Sequence, residues 1–218
     1  MLFTTIDFVV FFVLVLTAVV VIKNRKYQLL ILLAASYYFF YFSSNYLIIL
    51  LIFSTILDFF AAKLIYNTKD VFKKKVLLII SLAGNLGLLG FFKYSDFAIL
   101  QFNIMGNSIN LNTEIPFLNL ILPLGISFYT FQTLSYTIDV YRGNLTPSKT
   151  LSEFALFVAF FPQLVAGPIL RAKQFLPQLR EKIQNFETTG NIKQSILKNS
   201  NLKFGITLMA FGFFKKMF

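Results

Sequence analysis

Four long apolar runs, separated by short polar joints, constrain this chain more than any other feature of its sequence. They occupy residues 2–22, 27–42, 46–65 and 76–92. A helix needs about 20 mostly apolar residues to cross the hydrocarbon core of a bilayer, and somewhat fewer where the path is shortened. Consecutive runs near this length predict an all-α, polytopic transmembrane protein.

The composition agrees with a membrane environment and argues against a nucleic-acid partner. Hydrophobic residues make up 57% of the chain and charged residues 13%, which is about half the usual charged share of a soluble domain. Lys and Arg outnumber Asp and Glu by 20 to 9, but the cations lie in the joints between apolar runs. Such a distribution is typical of the positive-inside rule and of contact with membrane lipid.

The distribution of cations also predicts an orientation. The joint at residues 23–26 carries three cations, the joint at 43–45 carries none, and the stretch 67–75 carries four lysines. Because basic joints stay on the cytoplasmic side, the N-terminus is predicted outside, in a multi-pass protein of the inner (plasma) membrane. A fifth span is predicted at residues 117–140.

The remaining third of the chain departs from simple spans. Residues 152–170 are too short to cross twice, are broken by prolines and a glycine, and have cations on both flanks, which predicts a re-entrant broken helix. An interfacial amphipathic helix is predicted at 176–203. The start of a further span is predicted at 204–218, and because this run is too short to finish a crossing, the chain is expected to be the N-terminal portion of a larger protein.

Two polar features could carry function. Ser127, Thr130, Thr133 and Thr137 recur at helical spacing within the fifth span, and such a polar face cannot contact lipid. This helix could line a tunnel or substrate cavity, or its hydroxyls could simply bond to neighbouring helices. The run at 160–171 could likewise free backbone groups for a ligand, or only cap the fold. The candidate lining residues are Ser127, Thr130, Gln132, Thr133, Gln163, Gly167 and Arg171.

Several chemistries lack their usual residues. The chain contains no cysteine and no histidine, so thiolate chemistry and the commonest acid/base and metal ligands are missing, and no metal site is predicted. Asp58 lies late in the third apolar run. It is expected to reach the lipid headgroups or to pair with Lys63, rather than to act in a site.

Several strings of residues resemble one known family. They are Phe92-Lys93-Tyr94, the stretch LPLGISFYTFQ at 122–132, DVYRG at 139–143 and the loop at 162–171. Together, in this order, they resemble the membrane-bound O-acyltransferase family, and in particular its bacterial alginate and peptidoglycan O-acetyltransferase branch. The resemblance extends over nearly the whole chain.

The resemblance implies a ring of transmembrane helices around a funnel. It also implies transfer of an acetyl group from a cytosolic donor, acetyl-coenzyme A, to a hydroxyl of an extracytoplasmic cell-envelope polysaccharide, with the help of extracytoplasmic partner proteins. The family's catalytic histidine lies in the second half of its fold, and this sequence has none. No catalytic residue is therefore assigned, and the chain is expected to need the missing C-terminal acyltransferase half and to be inactive alone.

Two other functions remain open at this point. The chain could be half of a transporter or flippase, in which the polar helix and the broken re-entrant segment form a pathway. Inverted repeats would be expected there, and the sequence shows no convincing duplication. It could also be a non-catalytic membrane subunit that assembles with a chain supplying the base.

Overall fold

A computed structural model of the chain describes residues 5–22, 24–108, 114–123, 125–164 and 170–179, with isolated positions after residue 203. These residues form helices without any β-strand, which confirms the all-α expectation for the part described. The helices are α1 (Ile6–Val21), α2 (Arg25–Ser44), α3 (Ile48–Asn67), α4 (Val71–Ser108), α5 (Ile126–Tyr141), α6 (Leu151–Ala159) and α7 (Phe161–Leu164). A 3-10 turn, Asn45–Leu47, joins α2 to α3, and residues 172–179 are also helical.

The short polar joints act as helix caps. The side chain of Asn24 accepts a hydrogen bond from Lys26 N at 3.0 Å and so begins α2. Asp70 accepts one from Phe72 N at 2.9 Å at the start of α4. Thr150 accepts one from the backbone of the first turn of α6. Each cap satisfies a backbone N–H that has no partner inside its helix, so these joints stop one helix and start the next.

Among the residues that the structure describes, two helical stretches are long and apolar enough to cross a membrane. They are Lys26–Asn67, which covers α3 and all of α2 except its first residue, and Val71–Ser108, which is α4. Helix α1 and the pair α6–α7 are apolar but shorter. Many large apolar side chains on these helices are exposed, including Phe53, Ile79 and Phe91. An apolar surface of this extent suits contact with lipid.

Helix α4 is longer than the predicted span, and α5 starts later than predicted. No proline interrupts residues 71–108, so α4 continues to Ser108 instead of ending at Phe92. Residues 114–123 have no regular secondary structure and contact α4, where the carboxylate of Asp96 accepts hydrogen bonds from the backbone N–H groups of Leu118 and Asn119 at 2.8 and 3.1 Å. Helix α5 begins only at Ile126, after the second of two prolines.

The core lies where α3, α5 and α6 meet. Helix α3 packs against α4, α5 and α6, and α2 packs against α6 and α7. The rings of Tyr136 and Phe154 are 4.3 Å apart between α5 and α6. Phe161 of α7 packs among the rings of Phe8 and Phe39, so the short broken helix is held by α1 and α2.

Candidate functional site

The polar face of α5 points into the protein. Thr130, Gln132, Thr133 and Thr137 are each no more than 1% exposed, whereas Phe131, between them in sequence, is 49% exposed. This is the reverse of a surface helix in water, where polar residues face outward. The expectation that this face avoids lipid agrees with its burial, and the question becomes what the buried polar groups contact.

A break between α6 and α7 creates the first part of the site. In a continuous helix the carbonyl of Phe157 would accept a hydrogen bond from the N–H of Phe161. Phe160 instead has an extended ψ of 106°, and Phe161 N donates to the hydroxyl of Ser36 on α2 at 3.3 Å. Pro162 follows, and it has no N–H to offer. The Phe157 carbonyl is therefore left for side chains.

Two glutamine amides from different helices converge on that carbonyl. Gln132 of α5 donates from Nε2 at 2.8 Å, and Gln163 of α7 donates from Nε2 at 3.3 Å. Gln132 is fully buried and Gln163 is 5% exposed. We call these two side chains and the Phe157 carbonyl the glutamine junction. The structure thus brings together two of the residues that the sequence analysis had proposed from separate motifs.

The glutamine junction holds buried hydrogen-bonding atoms that are not satisfied. Within the described part of the chain, Gln132 Oε1 and Gln163 Oε1 are buried and make no hydrogen bond. A buried polar atom without a partner costs about 1–3 kcal/mol. The two amide oxygens can accept hydrogen bonds, so the junction suits an uncharged part of a ligand that carries O–H or N–H donors.

The backbone at the start of α5 lies close to α7. Gly125 has a φ of +72°, a left-handed conformation that glycine adopts without strain. A Cβ atom added there would lie 3.1 Å from the carbonyl oxygen of Leu164. Glycine therefore allows the 122–132 string and the 162–171 loop to meet, which places two of the motifs behind the family resemblance on either side of the glutamine junction.

A second buried polar group lies between α3, α4 and α5. Asp58 is 0% exposed. Its carboxylate accepts hydrogen bonds from the hydroxyl of Ser81 and from Asn85 Nδ2, the latter at 2.9 Å. The hydroxyls of Thr133 and Thr137 are also within hydrogen-bonding reach. We call these five residues the Asp58 cluster.

The expectation for Asp58 was wrong. Its burial removes it from lipid headgroups, and the amine of Lys63 lies 5.7 Å from the centroid of the Phe59 ring instead. Sequence reasoning missed Ser81 and Asn85. Ser81 and Asn85 are polar residues four apart in an apolar run, a spacing that puts both on one helix face and could have indicated a partner for a buried carboxylate.

The remaining candidates are not part of either group. Ser127 is half-buried and Arg171 is exposed. Gly167 and most of the predicted interfacial helix lie outside the described residues. A cavity of about 440 Å³ between α2, α3 and α6 is mostly apolar, and none of the candidate residues lines it. Thr133 belongs to the Asp58 cluster, so the polar face of α5 serves two separate sites.

These features define a class of protein. It is an all-helical membrane protein in which a helix with an inward-facing polar side meets a broken helix. No known family model matches the sequence, and no solved structure matches it. Several relatives with curated names do match the sequence. The chain is 35% identical over 188 residues to the "Peptidoglycan O-acetyltransferase" of Helicobacter pylori, a match that covers 75% of the chain and 33% of the relative.

The protein named "Probable alginate O-acetylase AlgI" gives similar matches in two pseudomonads. Identity is 36% over 143 residues in Pseudomonas putida and 37% over 143 residues in Pseudomonas aeruginosa, covering 65% of the chain and 26% or 24% of the relative. The chain thus spans about a quarter to a third of the length of these relatives, and it matches their N-terminal part. It belongs to the alginate and peptidoglycan O-acetyltransferase branch of the membrane-bound O-acyltransferases.

Proposed function

We propose that this chain forms part of a multi-pass enzyme of the plasma membrane that moves an acetyl group from cytosolic acetyl-coenzyme A to a hydroxyl of a cell-envelope polysaccharide. The relatives' names support the acetyl group and an envelope glycan as acceptor. The alternation of basic and neutral joints supports an N-terminus on the outer face. Extracytoplasmic partner proteins would then carry or receive the acetyl group.

The observation that carries the proposal is the glutamine junction. It lies in the buried core of the helices, and both sides of it are built from the strings that resemble the family. Its two free amide oxygens would accept hydrogen bonds from the amide N–H or hydroxyl groups of the acetyl donor. By fixing the donor in one orientation and excluding water, such contacts would favour transfer to the polysaccharide over hydrolysis.

The reaction also needs a general base, and we propose that it comes from residues other than these 218. In the transfer, an acceptor hydroxyl attacks the thioester carbonyl, a C–O bond forms, and the C–S bond breaks to release coenzyme A; a base takes the hydroxyl proton and passes it to the departing thiolate. The glutamines of the junction cannot accept that proton at neutral pH, and the chain has no histidine. Its role is to bind and orient, while a C-terminal acyltransferase portion supplies the base.

Complementation in membranes tests this division of roles. The chain would be co-expressed with the remaining C-terminal portion of the Helicobacter relative, and membranes would be supplied with radiolabelled acetyl-coenzyme A and peptidoglycan or alginate. The same relative, split at the end of the matched region, is the positive control. We expect glycan-bound label only when both portions are present. Label incorporated by the chain alone would overturn the role assigned to it. If the split control incorporates label but the chain with the C-terminal portion labels neither glycan, the proposed activity is overturned.

A further inference from the structure

The cavity between α2, α3 and α6 has no role in the proposed acetyl transfer, and its wall is mostly apolar. Its volume is about 440 Å³. Among the described residues that line it, none is charged and three carry a hydroxyl group. The apolar lining side chains are Leu33, Ile52, Ile56, Leu151 and Ala155. A cavity of this size and composition suits an uncharged, largely apolar ligand.

The hydroxyl groups of the wall offer little to a polar ligand. The hydroxyl of Thr55 donates to the carbonyl of Leu51 at 2.7 Å. The hydroxyl of Ser152 donates to Thr150 Oγ1 at 3.2 Å. The third hydroxyl belongs to Tyr37, which is half-buried. A sugar or a nucleotide needs several hydrogen-bond partners in its site, whereas a hydrocarbon chain needs none.

The helix bounds place the cavity at the depth of the bilayer interior. With the rise per residue of an α-helix, Leu33 and Tyr37 lie about 12 and 18 Å from the start of α2, and Thr55 lies about 18 Å from the end of α3. The hydrocarbon core is about 30 Å thick, so its midplane is about 15 Å from either edge. At this depth the protein is surrounded by acyl chains, and not by water or by lipid headgroups.

The cavity is continuous with the surface that suits contact with lipid. Two residues of its wall, Ile56 and Leu151, are 41% and 39% exposed. Phe53 and Phe60 are also exposed, and their spacing of three and four residues from Ile56 puts all three on one face of α3. A hydrocarbon chain can therefore pass from this face into the cavity along apolar side chains.

We propose that the cavity holds an acyl chain of a phospholipid from the surrounding membrane. An apolar cavity of about 150 Å³ in another protein takes up benzene, so a cavity about three times larger has room for several methylene groups. Lipid tails are as apolar as the wall, so removal from water does not drive this binding. The gain comes from the van der Waals contacts that the lining side chains would lack around an empty space.

A bound chain would also support the helix that presents the glutamine junction. Ala155 of α6 lines the cavity, and Phe157, which follows it on the same helix, carries the carbonyl to which Gln132 and Gln163 donate. The acyl chain would fill the space beside this helix. Its binding does not depend on the proposed acetyl transfer and can be measured without an activity assay.

Tryptophan fluorescence tests the proposal, because the chain contains no tryptophan of its own. Tyr37→Trp places the probe in the cavity wall, and Phe53→Trp places it on the lipid-facing surface as the control. Each complete chain would be reconstituted in vesicles of dioleoyl phosphatidylcholine, or of the same lipid with bromine atoms in the middle of its acyl chains. Bromine quenches a tryptophan that it contacts. We expect both variants to lose fluorescence in the brominated vesicles, and by similar amounts.

Filling the cavity makes the result specific. Ala155→Phe should remove most of the quenching of Tyr37→Trp and leave that of Phe53→Trp unchanged. If a chain with Ala155→Phe does not fold, Ser152→Phe fills the cavity from the same helix, and Leu33→Trp is a second probe in the wall. Absence of quenching in Tyr37→Trp and Leu33→Trp would overturn the proposal. Quenching that persists in the filled variants would also overturn it, because lipid would then reach the probe from outside the cavity.

Discussion

Replacing Gln132 by leucine tests whether the glutamine junction serves a ligand or only the packing of the helices. The change removes the 2.8 Å hydrogen bond to the Phe157 carbonyl, which costs about 0.5–1.5 kcal/mol. It also removes a buried amide oxygen that has no partner, which returns about 1–3 kcal/mol. The Phe157 carbonyl keeps its bond from Gln163 at 3.3 Å. The free energy of unfolding should therefore fall by no more than about 0.5 kcal/mol and could rise by up to about 2.5 kcal/mol.

The stability assay must suit the composition of the chain. Since there is no tryptophan and no cysteine, neither tryptophan fluorescence nor a thiol dye can report unfolding. A fluorescent protein fused to the C-terminus would instead report the fraction that stays monodisperse in detergent after heating. For a chain of this size the midpoint should not fall by more than about 2 °C.

Phe131→Leu, one residue away on the exposed face of α5, is the matched control and should also leave the midpoint nearly unchanged. A fall of more than about 5 °C in Gln132→Leu alone would refute the reasoning. It would mean that the amide oxygen has a structural partner and is not held free for a ligand.

Other changes probe the fold around the site. Gly125→Ala should lower the unfolding midpoint by about 2–8 °C. A left-handed φ costs an alanine roughly 1–2 kcal/mol, and the added Cβ would lie too close to the carbonyl of Leu164 on α7. An unchanged midpoint would show that α5 and α7 are not held this close. Tyr136→Phe should destabilise the protein by about 1–3 kcal/mol. The buried N–H of Ser148 donates to the Tyr136 hydroxyl at 3.0 Å and would lose this acceptor. Urea unfolding would measure the loss of stability. Single cysteines at Asn107 and Lys74, at opposite ends of α4, test orientation: in intact cells an impermeant reagent should label the first and not the second, and the opposite pattern would reverse the topology.

Much of the helical framework could be predicted from the sequence because its signals are local. Apolar runs and polar joints predict where helices lie, and the spacing of Thr130, Thr133 and Thr137 predicts that one face of α5 avoids lipid. The ends of the helices were harder to predict, because a helix such as α4 continues past its most apolar part until a residue that ends helices is reached. A hydropathy pattern marks the span and not the end of the helix.

The two buried polar groups depended on contacts between distant parts of the chain. Asp58 looked like a residue near a helix end, and only the packing of α4 brings Ser81 and Asn85 to it. The glutamines were found from separate motifs, but their shared acceptor, the Phe157 carbonyl, becomes free only because the helix breaks before Pro162. Side-chain spacing along one helix can mark a polar face, as at Ser81 and Asn85, but it does not say which distant residue that face meets.

Acetyl transfer by the complemented membranes tests the central claim most directly when the junction itself is changed. The double variant Gln132→Leu, Gln163→Leu would be compared with Phe131→Leu at equal amounts of folded protein, with radiolabelled acetyl-coenzyme A as donor. The account predicts at least a tenfold loss of glycan-bound label in the double variant, about 1.4 kcal/mol of transition-state stabilisation, and no loss in Phe131→Leu. Full transfer by the double variant would contradict the claim that the glutamine junction holds the acetyl donor.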